Sequence, residues 1–396
     1  MPPDDEASAG VARKHGGGDP LMKNFQKIGL GLAALGMLSL TVCLFLPKLR
    51  SWYKYTFVTH PPPTGHLWSP IGMAIDPEGN LFVADQRADS KRPNCITMYD
   101  RDRKFVMQFD RVEGYVDGEG QPSPITRGLY LNAIGPRHLV FVAVHNLAEV
   151  QIEGGVPKLV RIFGTRGSGP GQMDGPEGSS VDTNGDVYAT DEHNRRINVF
   201  DREARYLRSF SLPQDPQCVL VRGDRVYVSL NKRNYIACYT KDGKEQFRIG
   251  TEAVFPLLSW IMGLGAPAAF VAFGLLRKWR LAIAVSLGIL ALGALGCLAD
   301  YIVHHQPGQF RLPDHMAVSP DGQSLYVSDR WNDRVQVFDL DGHFKFAFGA
   351  GGRGPGQFGE PKEIAFDREG HVLVVDRLNN RVQVFTPNGK PIGAID

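Results

Sequence analysis

The chain has 396 residues, of which 43% are hydrophobic and 22% are charged, and its formal net charge is +2. These fractions are typical of folded proteins, and so small a net charge gives no support to nucleic-acid binding or to an acidic partner. The mean hydropathy of −0.19 indicates that most of the chain faces water. Any membrane signal must therefore be confined to short segments.

The amino-terminal region contains one such segment. Residues 1–27 include a triple-glycine run with scattered charges, and we expect a disordered tail there. No charge interrupts residues 28–47, which are long enough to cross a bilayer as a helix. No small-residue cleavage site follows, so we predict an uncleaved signal anchor. Residues 48–65 would then form a linker.

Two further segments without charge, 253–276 and 281–299, lie close together late in the chain. We predict transmembrane helices at 253–276 and 281–303, joined by the basic turn from Arg277 to Arg280. Because basic loops stay on the cytoplasmic side, this turn and the amino terminus should be cytoplasmic. We therefore expect a multi-pass protein of the plasma or inner membrane, with the rest of the chain outside the cytoplasm.

The five cysteines show no spacing typical of a metal site. Cys218 and Cys238 should lie on the first and third strands of one repeat, too far apart for a disulfide. Cys95 is expected in a loop. We interpret the cysteines as small buried hydrophobic residues.

Four segments share a pattern of residues at fixed offsets. Pro176 is followed by Asp182, Gly185 and Asp191, and the same pattern begins at Pro70 and Pro361. The copy that begins at Pro313 has Ser319 in place of the first aspartate and one extra residue before Asp329. Each pattern predicts a first strand, an x-D-x-x-G turn and a second, alternating strand. Three copies continue as D-x-x-N-x-R-[IV]-x-V-F, which predicts a loop and a third strand. A second glycine turn then leads to a fourth strand.

These four copies resemble the NHL repeat. Two degenerate copies, near 124–164 and 216–250, complete six units, and in the latter we expect Ser229 in the place of the last aspartate. The resemblance implies an all-β, six-bladed propeller, with blades one to four in 66–250 and blades five and six in 310–396. The predicted transmembrane hairpin would interrupt it between blades four and five. Three Pro-Gly-Gln-[Met/Phe] segments should connect successive blades.

The loops with Asp, Asn and Arg should share one face with the inserted hairpin, which would turn that face towards the bilayer. We expect the motif arginines Arg196, Arg334 and Arg381 to pair with aspartates of the blades. Residues outside the motif are better candidates for contacting a partner or anionic headgroups. These candidates are Arg87, Arg195, Arg233, Arg330, Trp331 and Arg377.

An enzymatic function would place its ligands at the channel mouth, where the inner strands begin. A resemblance to peptidyl-hydroxyglycine amidating lyases would call for several histidines there, and only His315 is present. A metal-dependent lyase or lactonase would have to use His315, Asp314, Glu177 and Glu363, with Lys362 opposing a cation. We therefore predict that the chain is not an enzyme and uses no cofactor.

The remaining prediction concerns the type of partner. Propellers of this type bind protein, glycan or RNA on one face. We expect a scaffold that binds a membrane-associated protein, a lipid-linked molecule or an envelope glycan. The metal-dependent enzyme is one alternative, and a cytoplasmic RNA-binding propeller, which requires the reversed topology, is the other.

Overall fold

The propeller is built from six blades arranged in a ring. The computed structural model describes residues 66–86, 94–116, 122–125, 130–143, 145–251, 283–289, 291 and 302–396. Within these ranges each blade is an antiparallel sheet whose strands follow one another in chain order. The first strand of each blade contacts the first strand of the next, and the last blade contacts the first. The predicted six-bladed propeller is therefore confirmed.

Blades one and two differ at their outer edges. Blade one consists of β1 (Pro70–Ile75), β2 (Leu81–Asp85), β3 (Cys95–Tyr99) and β4 (Phe105–Phe109). A hairpin of β5 (Arg111–Val116) and β6 (Pro122–Pro124) follows. Blade two consists of β7 (Leu131–Gly135), β8 (His138–Val142), β9 (Leu147–Glu153) and β10 (Val156–Phe163). Strand β5 pairs in parallel with β10, so the hairpin extends blade two outward.

Blades three and four are separate four-stranded sheets. A two-stranded sheet of β11 (Thr165–Arg166) and β12 (Gln172–Met173) leads into blade three. Blade three consists of β13 (Ser179–Val181), β14 (Val187–Asp191), β15 (Arg196–Phe200) and β16 (Tyr206–Ser211). Blade four consists of β17 (Cys218–Arg222), β18 (Arg225–Leu230), β19 (Tyr235–Thr240) and β20 (Glu245–Ile249). A 3₁₀ turn at Asn231–Arg233 follows β18.

Blades five and six repeat this arrangement. Blade five consists of β21 (Pro313–Val318), β22 (Leu325–Asp329), β23 (Arg334–Phe338) and β24 (Phe344–Phe348). The linker strands β25 (Ala350–Gly351) and β26 (Gln357–Phe358) follow. Blade six consists of β27 (Pro361–Phe366), β28 (Val372–Asp376), β29 (Arg381–Phe385) and β30 (Pro391–Ile395). The 3₁₀ turns Arg330–Asn332 and Arg377–Asn379 lie between second and third strands.

The turn between first and second strands is fixed by an aspartate side chain. In blade one Asp76 Oδ1 accepts hydrogen bonds from the backbone N–H groups of Glu78 and Asn80, both at 2.9 Å. Gly79 has a φ of +90°, a conformation that favours glycine. The same bonds recur at Asp182 in blade three. The x-D-x-x-G pattern therefore forms the turn between the first and second strands, as predicted.

The core consists of apolar clusters that lie between neighbouring blades. One joins blades three and four through residues such as Tyr188 and Val228, and another joins blades six and one through Leu373 and Leu81. Among the described residues, the strands of blade one and of blade six each come from one stretch of chain, so these strands show no exchange between the first and last blades. The closure uses side chains instead: Arg103 lies 3.4 Å from Asp367 and 3.2 Å from the carbonyl oxygen of Gly79.

The predicted membrane segments fall largely outside the described residues. The tail 1–27, the helix 28–47, the linker 48–65 and the helix 253–276 lie wholly outside them. Of 281–303, the structure describes 283–289 and 291 as helical, in a compact unit distinct from the propeller, and 302–305 form a short helix before blade five. Across the described ranges, no helix combines the length and the apolar character that a membrane crossing requires.

Two local predictions are wrong. Leu230, and not Ser229, occupies the place of the repeat aspartate, because Leu230 pairs with Tyr235 as Asp191 pairs with Arg196. Cys95 begins β3 and does not lie in a loop. Among the described cysteines, Cys95, Cys218 and Cys238 are buried and form no disulfide, as predicted.

Candidate site at the channel mouth

The first strands of the blades bring polar side chains together where the strands begin. In blades three to six the residue after the repeat proline is Glu177, Gln217, Asp314 or Lys362. Blade two contributes Tyr130, directly before β7. We call this region the channel mouth. In blades three to six the loops between second and third strands emerge on the same face, which we call the channel-mouth face.

Tyr130 reaches across the channel mouth. Its hydroxyl lies 3.1 Å from Asp314 Oδ1 in blade five and accepts a hydrogen bond from Lys362 Nζ of blade six at 3.2 Å. The side-chain amide nitrogen of Gln217, in blade four, lies 3.4 Å from the hydroxyl oxygen of Tyr130. The ring of Tyr130 stacks on His315 with centroids 6.4 Å apart. One buried tyrosine therefore links blades two, four, five and six.

A buried ion-pair network surrounds this tyrosine. Lys362 Nζ lies 3.0 Å from Asp314 Oδ2, and Arg330 lies 3.7 Å from the same oxygen. Arg330 and Arg377 both contact Glu360 Oε2, at 2.7 and 3.1 Å. Such a network stabilises the fold only while every charge keeps its partner.

The network changes the pKa values of its members in different directions. Burial alone would raise the pKa of Asp314, but Lys362 and Arg330 outweigh burial and lower it below its usual value. Burial lowers the pKa of Lys362, and Asp314 opposes that change. Burial and the carboxylates Asp314 and Glu177 raise the pKa of Tyr130 well above its usual value, so it remains a hydrogen-bond donor.

His315 belongs to a second buried pair. Its Nε2 lies 3.0 Å from Glu363 Oε1, and Glu363 Oε2 accepts a hydrogen bond from the backbone N–H of Met73 at 2.9 Å. Glu363 thus connects blades five, six and one. It also contributes to the closure of the ring.

Hydroxyl groups on the second strands fix the beginnings of the first strands. Thr190 Oγ1 accepts hydrogen bonds from the backbone N–H groups of Glu177 and Gly178 at 2.9 and 2.7 Å. Ser229 accepts from the N–H of Cys218 at 3.0 Å, and Ser328 from that of His315 at 2.8 Å. This role was not predicted from the sequence. Its signal was a Thr or Ser directly before the repeat aspartate in blades three and five.

The Asp/Asn/Arg motif is structural. Asp329 accepts hydrogen bonds from Asn332, Arg334 and Gln336 and from the backbone N–H of Arg311, at 2.7 to 3.0 Å. Equivalent pairs join Arg196 to Asp191 and Arg381 to Asp376, both at 2.8 Å. The predicted pairing of the motif arginines with aspartates of the blades is confirmed.

The candidate contact residues occupy different environments. Arg87 lies outside the described residues. Arg330 and Arg377 point into the buried network and not outward, as their contacts with Glu360 show. Arg195 is exposed and contacts Asp215 at 2.9 Å, whereas Arg233 is half-buried. Trp331 has 37% of its surface exposed.

The four candidate metal ligands do not form one ligand set. His315 pairs with Glu363, Asp314 pairs with Lys362, and Glu177 accepts a hydrogen bond from Gln217 at 3.2 Å. Within the described ranges, three such side chains bring their ligand atoms within 4.8 Å of one another only in the blade-six turn. There Asp367 and His371 already contact each other at 3.1 Å.

A family model described as a 6-bladed beta-propeller matches residues 317–396. Protein brain tumor of Drosophila melanogaster is 34% identical over 85 residues, covering 21% of this chain and 8% of that protein. NHL repeat-containing protein 3 of Mus musculus is 34% identical over 94 residues, covering 23% of this chain and 27% of that protein. These matches support a propeller of the NHL type. The chain thus spans a small part of the relatives it matches.

Solved propellers share the fold at low identity. A Bacteroides thetaiotaomicron structural genomics protein of unknown function is 13% identical with a TM-score of 0.51, covering 81% of this chain and 69% of that one. A streptogramin B lyase is 12% identical with a TM-score of 0.49, each chain covered by 85%. The Pseudomonas aeruginosa periplasmic gluconolactonase is 14% identical with a TM-score of 0.48, covering 82% of this chain and 85% of the other.

The prediction that this chain is not an enzyme is wrong. It rested on the shortage of histidines at the channel mouth. The solved propellers similar to this chain include a lyase and a gluconolactonase. At such low identity the likeness shows the fold and assigns no activity.

Proposed function

We propose that this chain is a membrane-anchored propeller of the NHL type whose channel-mouth face binds a protein partner. The anchors in this proposal are 28–47, 253–276 and 281–303. The amino terminus is cytoplasmic and the propeller extracytoplasmic, at the plasma or inner membrane. Support for the anchors comes from the absence of charge in 28–47, 253–276 and 281–299, and from the basic turn between the last two segments.

The two ends of the inserted segment support its attachment to this face. The hydroxyl of Thr251, after blade four, donates a hydrogen bond to Gln309 Oε1 at 2.6 Å. Arg334 donates to the carbonyl oxygens of His305 and Gln309, both at 2.9 Å. The chain therefore leaves blade four and enters blade five at one place, beside the Asp329 loop.

Trp331 is the observation on which protein binding rests. Its indole is 37% exposed on the 3₁₀ turn after Asp329, and the guanidinium of Arg311 lies 5.6 Å from the ring centroid. The backbone N–H of Trp331 donates to the carbonyl oxygen of Arg311 at 3.0 Å, which holds the turn in place. A fixed, partly exposed tryptophan beside an arginine is typical of residues that dominate binding energy at protein interfaces.

Charged residues on neighbouring loops provide a polar surround. Asp215 contacts Arg195 at 2.9 Å and Lys232 at 2.5 Å, and Lys232 also lies 3.5 Å from Glu192. These side chains come from blades three and four, next to blade five in the ring. A polar rim beside an aromatic centre is the usual arrangement of a protein-binding surface.

Site-specific photocrosslinking in intact cells tests the proposal. A photoreactive phenylalanine analogue is placed at Trp331 of the full chain and, as a matched control, at Phe344. Phe344 is also 37% exposed but lies on the outer strand β24. We expect a discrete, protease-sensitive adduct in the membrane fraction from position 331 and none from position 344.

Two outcomes would count against the proposal. A protease-resistant adduct at position 331 would indicate a lipid-linked molecule or a glycan as the partner. Equal crosslinking at both positions, or none, would show that the channel-mouth face does not select a protein.

A further inference from the structure

Two histidines from neighbouring blades flank one carboxylate where blade two meets blade three. His145 lies in the turn between β8 and β9, and His193 lies in the turn between β14 and β15. Asp174 directly follows β12, in the segment that leads into blade three. None of the three was predicted to be a ligand from the sequence, because the repeat pattern does not include them.

Both imidazoles face the carboxylate of Asp174. His145 Nδ1 lies 3.7 Å from Asp174 Oδ1, and His193 Nδ1 lies 3.6 Å from Asp174 Oδ2. These separations are too long for hydrogen bonds. They are close to the ~3.4 Å that separates two ligand atoms bound to the same tetrahedral Zn²⁺ ion at about 2.0–2.1 Å each. The spacing is therefore that of ligands which share an ion.

Among the described residues, the carboxylate of Asp174 has no competing cation. Its ion contacts there are with the two imidazoles, and no lysine or arginine of the described ranges pairs with it. The blade-six turn is different, because Arg103 lies 3.4 Å from Asp367 and His371 contacts that carboxylate at 3.1 Å. A cation that entered the blade-six turn would be repelled by Arg103, whereas a cation beside Asp174 would not meet such a group.

The backbone fixes Asp174 and His193 relative to each other. The N–H of Asp174 donates a hydrogen bond to Asp191 Oδ1 at 2.8 Å, and the N–H of His193 donates one to the carbonyl oxygen of Asp174 at 3.1 Å. Gly175 adopts a φ of +69°, and a Cβ at this position would lie 2.8 Å from His193 Nδ1. The glycine therefore leaves the space that the imidazole occupies beside Asp174.

A second carboxylate lies beside the other nitrogen of the same ring. His193 Nε2 is 3.9 Å from Glu192 Oε2. A carboxylate in this position is typical of metal-binding histidines, because it orients the ring and makes the ligating nitrogen more basic. His193 thus has one carboxylate on each side, as expected for a ligand with a supporting group.

We propose that His145, Asp174 and His193 bind one Zn²⁺ ion, which joins blade two to blade three. Two imidazoles and one carboxylate are three protein ligands, and water would take the fourth tetrahedral position. Because each imidazole nitrogen faces a different oxygen of Asp174, the three ligand atoms are spaced more widely than those of the blade-six turn. The side chain of His193 is 57% exposed, so its ring is free to turn towards the ion. The site does not depend on the proposed protein binding.

Modification of histidines by diethyl pyrocarbonate tests the proposal. The full chain in detergent is stripped of metal with EDTA, transferred to buffer at pH 7 and treated with and without ZnCl₂, and peptide mass spectrometry follows each histidine. We expect one equivalent of Zn²⁺ to slow the modification of His145 and His193 together by more than ~10-fold, because the bound nitrogen is blocked and the other nitrogen carries the proton. The exposed His343 should react at an unchanged rate.

Isosteric variants identify the ligands. Asp174→Asn removes the charge and keeps the shape, so Zn²⁺ should then protect neither histidine at the concentration that protects both in the wild type. Calorimetric titration should show Zn²⁺ affinity weakened by at least ~10-fold, the lower end of what the loss of a group that supports a bound metal costs. His371→Gln, in the blade-six turn, is the matched control and should bind Zn²⁺ as the wild type does.

The outcomes distinguish one shared ion from separate contacts. Protection of His145 and His193 at different Zn²⁺ concentrations, or protection that survives in Asp174→Asn, would overturn the shared site. Loss of binding in His371→Gln would place the ion in the blade-six turn instead, and no protection at millimolar ZnCl₂ would overturn Zn²⁺ binding. If Asp174→Asn unfolds at a lower urea concentration than the wild type in EDTA, the more exposed His193→Gln repeats the comparison.

Discussion

Replacing Asp329 by alanine should lower the free energy of unfolding of the full chain by about 3–5 kcal/mol, the usual cost of removing one partner from a buried ion pair. The substitution leaves Arg334 without its carboxylate and removes the acceptor of three further hydrogen bonds, from Asn332, Gln336 and the N–H of Arg311. Urea unfolding in detergent, followed by tryptophan fluorescence, measures the change.

The matched control for this prediction is Asp339→Ala in the same blade. Asp339 lies in the turn between the third and fourth strands, where it accepts hydrogen bonds from Asp341 and His343 at the protein surface. Its replacement should cost about 1 kcal/mol or less. If both variants unfold at the same urea concentration, the Asp/Asn/Arg motif does not stabilise the blades in the way the contacts indicate.

Replacing Asp314 by alanine should cost about 3 kcal/mol at pH 7, because Lys362 and Tyr130 then lose their shared acceptor. The loss lies at the lower end of the range for buried pairs because burial already lowers the pKa of Lys362, so the uncompensated amine can lose its proton. Urea unfolding at several pH values measures both the loss and its pH dependence.

The contribution of Asp314 to the free energy of unfolding should decrease at low pH. The folded pKa of Asp314 is lowered, so its contribution is complete above the unfolded value of about 4 and is lost as the pH falls through the folded value. The difference in the free energy of unfolding between the wild type and Asp314→Ala should therefore become smaller below pH 4. Asp242→Ala, at an exposed turn residue, should show no such narrowing. A difference that stays constant down to pH 2 would contradict the ion-paired state of Asp314.

The fold could be predicted because each copy of the repeat pattern specifies a turn and a strand within a short stretch of sequence. The offsets from Pro176 to Asp182, Gly185 and Asp191 define a turn and an alternating strand within a few residues, and the structure has both. Blade four was misaligned by one residue because Leu230 replaces the aspartate and Ser229 looked like its nearest polar substitute. The strand pairing, not the composition, fixes that position.

The outer hairpin of blade two could not be predicted in the same way. Strands β5 and β6 contain no copy of the repeat, and β5 joins the sheet through a parallel contact between Glu113 and Lys158. Such pairing depends on where the outer edge of the blade lies in space. No local signal in 111–124 specifies it.

The channel mouth was predicted in part. His315, Asp314, Glu177 and Glu363 were correctly identified as residues at the beginnings of the first strands. Tyr130 was missed because blade two lacks the full repeat, and its partner Asp314 is 184 positions away. Arg330 was expected at the surface because neither the motif nor the turn requires it. The Arg330 side chain points inward because it pairs with Glu360, which lies directly before the first strand of blade six.

Topology mapping in intact cells tests the central claim, a membrane-anchored propeller outside the cytoplasm, most directly. Single cysteines are placed at Lys278, in the basic turn, or at Asn388, in the last turn of blade six, in a chain without other cysteines. An impermeant thiol reagent should label Asn388→Cys in intact cells and Lys278→Cys only after the cells are permeabilised. Labelling of Lys278→Cys in intact cells, with Asn388→Cys protected, would contradict the account.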